Sequence, residues 1–216
     1  MKCCVIGLGR FGFQMAVKLA ENGIEVLAVD DDEKTVEAIR NKVTQAVCFR
    51  IEDEEALRAM GIEEMDTVVV AMGESFTQSI ILTAILKKHL NIPYVISRAR
   101  NKIHEDILKL TGADKVITPE RDSGIRFANS LSLKFSDYIP ISDNFAITHV
   151  KAPESFVGKT IAELQLRKSR NVACIAIKKE DNADEVNLVG LEYVITEEDI
   201  MVICGANKDL ALVSEW

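Results

Sequence analysis

The chain lacks any apolar run near the roughly 18 residues a membrane span needs. Its longest stretches, such as 68–72 and 79–86, fall well short of that length. Met1-Lys2 leads straight into a strand-like run and a glycine loop, so no secretory leader is expected. There is no CxxC pair. The five cysteines (Cys3, Cys4, Cys48, Cys174 and Cys204) each lie in or beside an apolar, strand-like run, which predicts buried, reduced thiols in a cytoplasmic protein. His89, His104 and His149 are scattered without metal-ligand spacing, which argues against a zinc site. Positive charge is also short: 26 Lys and Arg face 34 Asp and Glu, giving a net charge of −8. Such a chain has no diffuse positive field for a phosphate backbone, so no nucleic-acid partner is expected.

What is present is ordinary globular material. Apolar residues make up 48% and charged residues 28% of 216 positions, enough for one medium and one small domain. Over the first 135 residues, β-branched runs alternate with amphipathic stretches. Strands are predicted at 3–6, 25–29, 45–49, 67–71, 94–97 and 115–117. Helices are predicted at 11–22, 33–42, 54–60, 75–90, 103–111 and 121–135. This alternation predicts an α/β fold, a Rossmann-like, doubly wound parallel sheet. The runs Cys3-Cys4-Val5-Ile6 and Val68-Val69-Val70 show no in/out alternation, as strands covered on both faces should.

Around Tyr138 to Asn144 the alternation stops in a turn-rich passage. Beyond it strands are predicted at 145–151, 173–178, 187–188 and 200–205, with a short helix at 160–166 and a hairpin tip at 179–185. The expected organisation is a nucleotide-binding domain over 1–138 and a small α+β domain over 139–216.

Gly7-Leu8-Gly9-Arg10-Phe11-Gly12 is a GxGxxG that follows the first strand and opens the first helix. Gly7 permits the tight turn, Gly9 lets backbone amides approach phosphate, and Gly12 permits close helix–strand packing. The helix N-terminus then offers N–H groups to a diphosphate. Asp30, 18 residues after Gly12, is placed to accept hydrogen bonds from ribose hydroxyls, which points to an adenine nucleotide with an unmodified ribose. Arg10 can form bidentate contacts to phosphate and favours a more highly charged ligand, ATP or ADP, over NAD. Asp31 and Asp32 suit the start of the next helix better than ligand contact. A Tyr-x-x-x-Lys pair is missing, because Tyr94, Tyr138 and Tyr193 are followed four residues on by Arg98, Ser142 and Glu197. No Cys-His or Ser-His-Asp arrangement stands out, so the site reads as one for sensing rather than turnover.

The glycine loop with Asp30, together with Val70-Ala71-Met72-Gly73, the run from Gly112 to Glu120 and the run from Gly158 to Leu164, resembles the KtrA/TrkA family. These are RCK-domain regulatory proteins of bacterial potassium uptake systems. A single copy of each domain is more similar to KtrA than to TrkA, which carries the pair twice. The resemblance implies a cytoplasmic, non-enzymatic gating subunit at the inner face of the membrane. Its partner would be a membrane-embedded potassium-translocating subunit, and its own dimers would assemble into an octameric ring. It also implies a phosphate loop of Gly7, Gly9, Arg10, Phe11 and Gly12, with Asp30 on the ribose. Gly73 and Ser75 would face the nucleotide, and Arg98 matches a basic position after the fifth strand. Glu120 would help hold a divalent cation, Mg or Ca, near the phosphates. The helix at 121–135 and the crossover at 138–144 would serve as hinge and dimer contact.

Departures from the pattern are expected to matter. Phe49-Arg50-Ile51-Glu52-Asp53 stands where the family often has a small residue and an acid, and Glu198-Asp199 replaces a Gly-Asp. For cyclic di-AMP, Arg167 matches an arginine, but Ala173 and Val186 stand where an asparagine and a proline would be, so this ligand is disfavoured. The competing reading is a small NAD(P)-dependent oxidoreductase or NADH sensor that shares the glycine loop. A third is an assembly module with a vestigial loop.

Overall fold

The computed structural model describes residues 1–51, 53–73, 75–132, 138–142, 144–179 and 185–215. The expectations for 133–135, 143 and 180–184, and for Glu52, lie outside these residues. The chain divides into two compact units, Met1–Glu120 and Arg121–Trp216.

The first unit opens with β1 (Lys2–Ile6), α1 (Arg10–Glu21), β2 (Glu25–Asp30) and α2 (Glu33–Ile39). Asp32 caps α2 by accepting the Lys34 and Thr35 N–H groups, which ends β2 and starts the helix within three residues. Next come β3 (Gln45–Cys48), α3 (Glu54–Ala59), β4 (Thr67–Val70) and α4 (Phe76–Ala84). Asp53 caps α3 through the Ala56 N–H. The single helix expected over 75–90 is interrupted, since α4 gives way to a wide π-type turn over Ile85–His89. There the Leu90 N–H reaches back to the Ile85 carbonyl. The unit continues with β5 (Tyr94–Arg98), α5 (Lys102–Thr111), β6 (Lys115–Ile117) and the start of α6 (Pro119–Ser132). Asn101 caps α5 at one end, and Gly112 closes it in the left-handed region at φ 112°.

The six strands form a wholly parallel sheet in the order β3-β2-β1-β4-β5-β6, the Rossmann-like topology expected from the β–α alternation. Along β1, Cys4 and Ile6 join one apolar layer with Leu27, Val29, Val68 and Val70. Cys3 and Val5 join the opposite layer with Val26, Ala28 and Val69. Both faces of the strand are buried, which is why the sequence shows no alternation there.

The second unit holds the rest of α6, then β7 (Tyr138–Ser142), β8 (Phe145–Lys151), α7 (Ile161–Leu164), α8 (Leu166–Arg170), β9 (Val172–Lys179), β10 (Val186–Leu188), β11 (Asp199–Ala206) and α9 (Asn207–Ala211). The strands form an antiparallel sheet in the order β10-β9-β11-β8-β7. Three expectations are corrected here. The passage from Tyr138 to Ser142 is not a turn but an edge strand, paired with β8 and irregular between Pro140 and Ser142. The helix expected at 160–166 breaks at Gln165, which adopts φ 46°, and a second helix starts after it. Not all the thiols are buried: Cys48, at the end of edge strand β3, is exposed, and Cys174 and Cys204 are half-buried. Among the described residues no helix is long and apolar enough to cross a membrane.

Candidate functional site

The glycine loop joins β1 to α1 next to the point where strand order reverses, between β1 and its neighbours β2 and β4. Open α/β sheets bind ligands at such switch points, beyond the carboxyl ends of the strands. Gly7 takes φ 91°, and its N–H donates to the Val29 carbonyl at 2.8 Å. A side chain at Gly7 would meet Met72, and one at Gly12 would collide with the Gly7 carbonyl oxygen. Gly9, at the N-cap of α1, has nothing among the described residues within 4 Å of where a Cβ would stand. Two glycines therefore serve internal packing, and the third faces open space from which a phosphate can approach.

Asp30 holds the loop from the side. One carboxylate oxygen accepts the Leu8 N–H at 2.5 Å, and the other accepts the Asp32 N–H at 2.9 Å. Each carboxylate oxygen has a second lone pair, so ribose hydroxyls can still donate to it.

Beside Gly7 and Asp30 lies a cavity of about 320 Å³, walled by apolar side chains including Val29, Phe49, Met72 and Ile81. Arg50, Asp53 and Gln78 add polar groups to its wall. This mostly apolar recess with a few polar groups suits a nucleoside. Asp31 also lines it, although the sequence placed this residue at the start of a helix instead. The Phe49-Arg50-Ile51 segment, where the chain departs from the family pattern, forms part of the wall. Met72 stands out in the sequence only as part of the Val70–Gly73 motif, and Gln78 and Ile81 do not stand out at all, since no spacing marks them as facing the cavity.

The remaining predicted residues form two other groupings. Arg10 is exposed and lines a separate concavity with Gly9, Phe13 and Lys34, not the cavity beside Asp30. Arg98, at the end of β5, brings together Phe11, Gly73 and Glu120. Its guanidinium lies 5.8 Å from the Phe11 ring centroid and pairs with Glu120. It packs so closely on Gly73 that a Cβ there would come within 2.9 Å of it. The Arg98 Nε is buried and has no hydrogen-bond partner among the described residues. A dry, unsatisfied guanidinium donor at the loop end of a parallel sheet is a feature an anionic ligand would complete. Ser75 holds the N-cap position of α4, but its hydroxyl does not cap that helix.

Other motif residues have structural work. Asp114 accepts the Val95 N–H at 2.6 Å and pairs with Lys87, tying α5 and β6 to β5. Burial alone would raise the Asp114 carboxyl, but these contacts hold it below the usual carboxylate range. Thr160 and Glu163 form a reciprocal capping box at the start of α7. Arg167 is exposed on α8, Ala173 is half-buried on β9 and Val186 is exposed on β10. Among the described residues no group of three or more His, Cys, Asp or Glu could hold a metal ion.

A 3-2-1-4-5-6 parallel sheet, a glycine loop at its switch point and an acid at the end of β2 define a Rossmann-like domain. Residues 3–119 match the TrkA-N domain and residues 148–216 the TrkA-C domain. The chain is 37% identical over 207 residues to Ktr system potassium uptake protein A of Bacillus subtilis (strain 168), covering 95% of this chain and 92% of that protein. It therefore belongs to the KtrA/TrkA family. Among solved structures, the GsuK RCK domain superposes with a TM-score of 0.65 at 18% identity, covering 99% of this chain and 47% of that one. The GsuK channel bound to NAD does so with a TM-score of 0.56 at 23% identity, covering 99% and 38%. The chain thus spans less than half the length of these structural neighbours, and the likeness is one of fold.

Proposed function

We propose that this chain is the nucleotide-binding regulatory subunit of a potassium uptake system and gates a membrane-embedded potassium-translocating partner. The observation that carries the reading is the cavity beside Gly7 and Asp30, in a chain 37% identical to a Ktr uptake protein along nearly its whole length. The ligand is an adenine nucleotide. Gly7, Gly9 and the α1 N-terminus would hold its phosphates, Asp30 its ribose, and Phe49, Met72 and Ile81 the base. Arg10 and Arg98 supply two cations toward that end of the sheet, which favours ATP or ADP. The solved GsuK channel holds NAD, which keeps NAD or NADH as the second candidate.

On this reading no bond is made or broken. Two nucleotides that differ in affinity for two ring geometries shift the equilibrium between them. Residues 1–138 bind the ligand and 139–216 carry the response. The assembly is an octameric ring of dimers on the inner face of the membrane. Ile125, Phe127 and Leu131, exposed on α6, support packing against a second copy. Glu120 offers one hard oxygen ligand. A divalent cation there needs phosphate oxygens to complete its shell.

Calorimetry with ATP, ADP, NAD and NADH, with and without magnesium or calcium, tests the proposal. Adenine-nucleotide binding that is strengthened for ATP by the cation, and weakened under those conditions by Glu120→Gln, is the expected result. Binding of none of the four overturns it. Preference for NADH with indifference to ATP moves the assignment to a redox ligand.

A further inference from the structure

We propose that Arg98 is a terminal-phosphate subsite that Glu120 occupies until a ligand displaces it. The inference rests on the nucleotide reading above and deepens it by naming which ligand charge the site rewards. The cation is the fixed partner: Arg98 has 19% side-chain exposure, is wedged against Gly73 and lies over Phe11. The anion is the loose one, since Glu120 is 65% exposed and begins α6. A guanidinium has five donors in a planar fork, and Glu120 meets it through the NH2 group while Nε is buried and has no partner among the described residues. An intramolecular carboxylate thus covers one arm of a fork whose dry arm is unsatisfied. A phosphate oxygen pair can engage both arms, and a displaced Glu120 returns to water at little cost.

Displacement should favour ligands with charge to spare. A terminal phosphate carries close to two negative charges, whereas each phosphate of a dinucleotide's internal diphosphate carries one. The exchange therefore helps ADP and ATP and does nothing for NAD. It also couples the site to the chain beyond it, because the released carboxylate opens the helix that continues into the second unit.

The test is calorimetry in chelator, without divalent cation, using ADP, NAD and inorganic tripolyphosphate. Glu120→Gln should tighten ADP and tripolyphosphate by about two- to five-fold, the range for an exposed ion pair, and leave NAD unchanged. Arg98→Gln should weaken ADP and tripolyphosphate and abolish the gain in the double variant. Weaker or unchanged ADP binding by Glu120→Gln, in a chain that does bind ADP, overturns the proposal and leaves the nucleotide site standing. Failure of wild type to bind either nucleotide overturns the site itself and this inference with it. Matched urea midpoints for wild type and Glu120→Gln tie the change to the ligand and not to folding.

Discussion

Asp30 accepts the backbone N–H of Leu8 at 2.5 Å, so the acid at the end of β2 fastens the loop that leaves β1. Asp30→Asn replaces one acceptor oxygen by a donor in a carboxylate that faces two N–H groups. A loss of about 1–3 kcal/mol in unfolding free energy is expected from the unsatisfied contact. Nucleotide affinity should fall by about tenfold or more, one hydrogen-bonded charge being worth at least that much. Urea unfolding and calorimetry on the same variant read the two effects separately.

The glycines of the loop should separate folding from binding. Gly12→Ala drives a methyl group into the Gly7 carbonyl and should cost about 1–3 kcal/mol or more, as overpacking does. Gly9→Ala meets nothing among the described residues within 4 Å, at an ordinary negative φ of −61°, and should change stability by less than about 0.5 kcal/mol. It should nevertheless abolish nucleotide binding, because the methyl group takes the space a phosphate needs. Equal melting temperatures with unequal affinities are the outcome to look for.

His104 sits buried between α4 and α5, its ring 4.5 Å from that of Phe76. Its Nδ1 accepts the Arg100 N–H at 3.3 Å, which leaves Nε2 as the donor to the Ser79 hydroxyl 2.9 Å away. Burial, with a smaller contribution from the Arg100 charge, lowers its pKa from the ordinary 6.5. The unfolded chain then takes up the proton first as pH falls. Stability from this residue is fully present above about 6.5 and is lost as pH drops through the lower folded value. The difference in stability between wild type and His104→Gln should change by at most about 1.4 kcal/mol per pH unit in that window. A difference independent of pH would contradict it.

In the second unit, Asp199 is fully buried and accepts from Lys179 at 2.6 Å, from the Thr196 N–H at 2.8 Å and from the Tyr193 hydroxyl at 3.0 Å. Burial by itself would raise this carboxyl, but the Lys179 contact and the other hydrogen bonds outweigh it and hold it below the usual range. Its contribution is therefore present above the ordinary carboxylate value and disappears as pH falls through the lowered one. Asp199→Ala should destabilise the chain by about 2–4 kcal/mol, at or below the cost of breaking a fully buried pair because Lys179 is partly exposed. Acid unfolding followed in wild type and variant checks the sign.

The parallel sheet was legible because covered strands write themselves as unbroken apolar runs, as at Val68-Val69-Val70, and because the Asp31-Asp32 pair marks where α2 begins. The strand at Tyr138–Ser142 was not, since only Tyr138 is buried and the other four residues are exposed, so neither an apolar run nor an alternation announces it. The break at Gln165 is equally silent, because nothing in that side chain requires a positive φ. At the site, spacing located Gly7, Gly9, Gly12 and Asp30. What it could not give is that Asp30 binds two backbone N–H groups, or that Met72 and Gln78 reach the cavity from the loop after β4 and from α4. Those facts depend on strand adjacency, and β4 becomes the neighbour of β1 only once the sheet has formed.

Because one carboxylate both tethers Leu8 and lines the cavity, the site resists a common evolutionary step. Trading the acid for a basic residue, which in a simpler loop would open the way to a 2′-phosphorylated ligand, here unfastens the turn before any new contact forms. Acquiring that ligand would take at least two linked substitutions, one to receive the phosphate and one to re-anchor the Leu8 amide, and the intermediate with only one of them would bind neither ligand well.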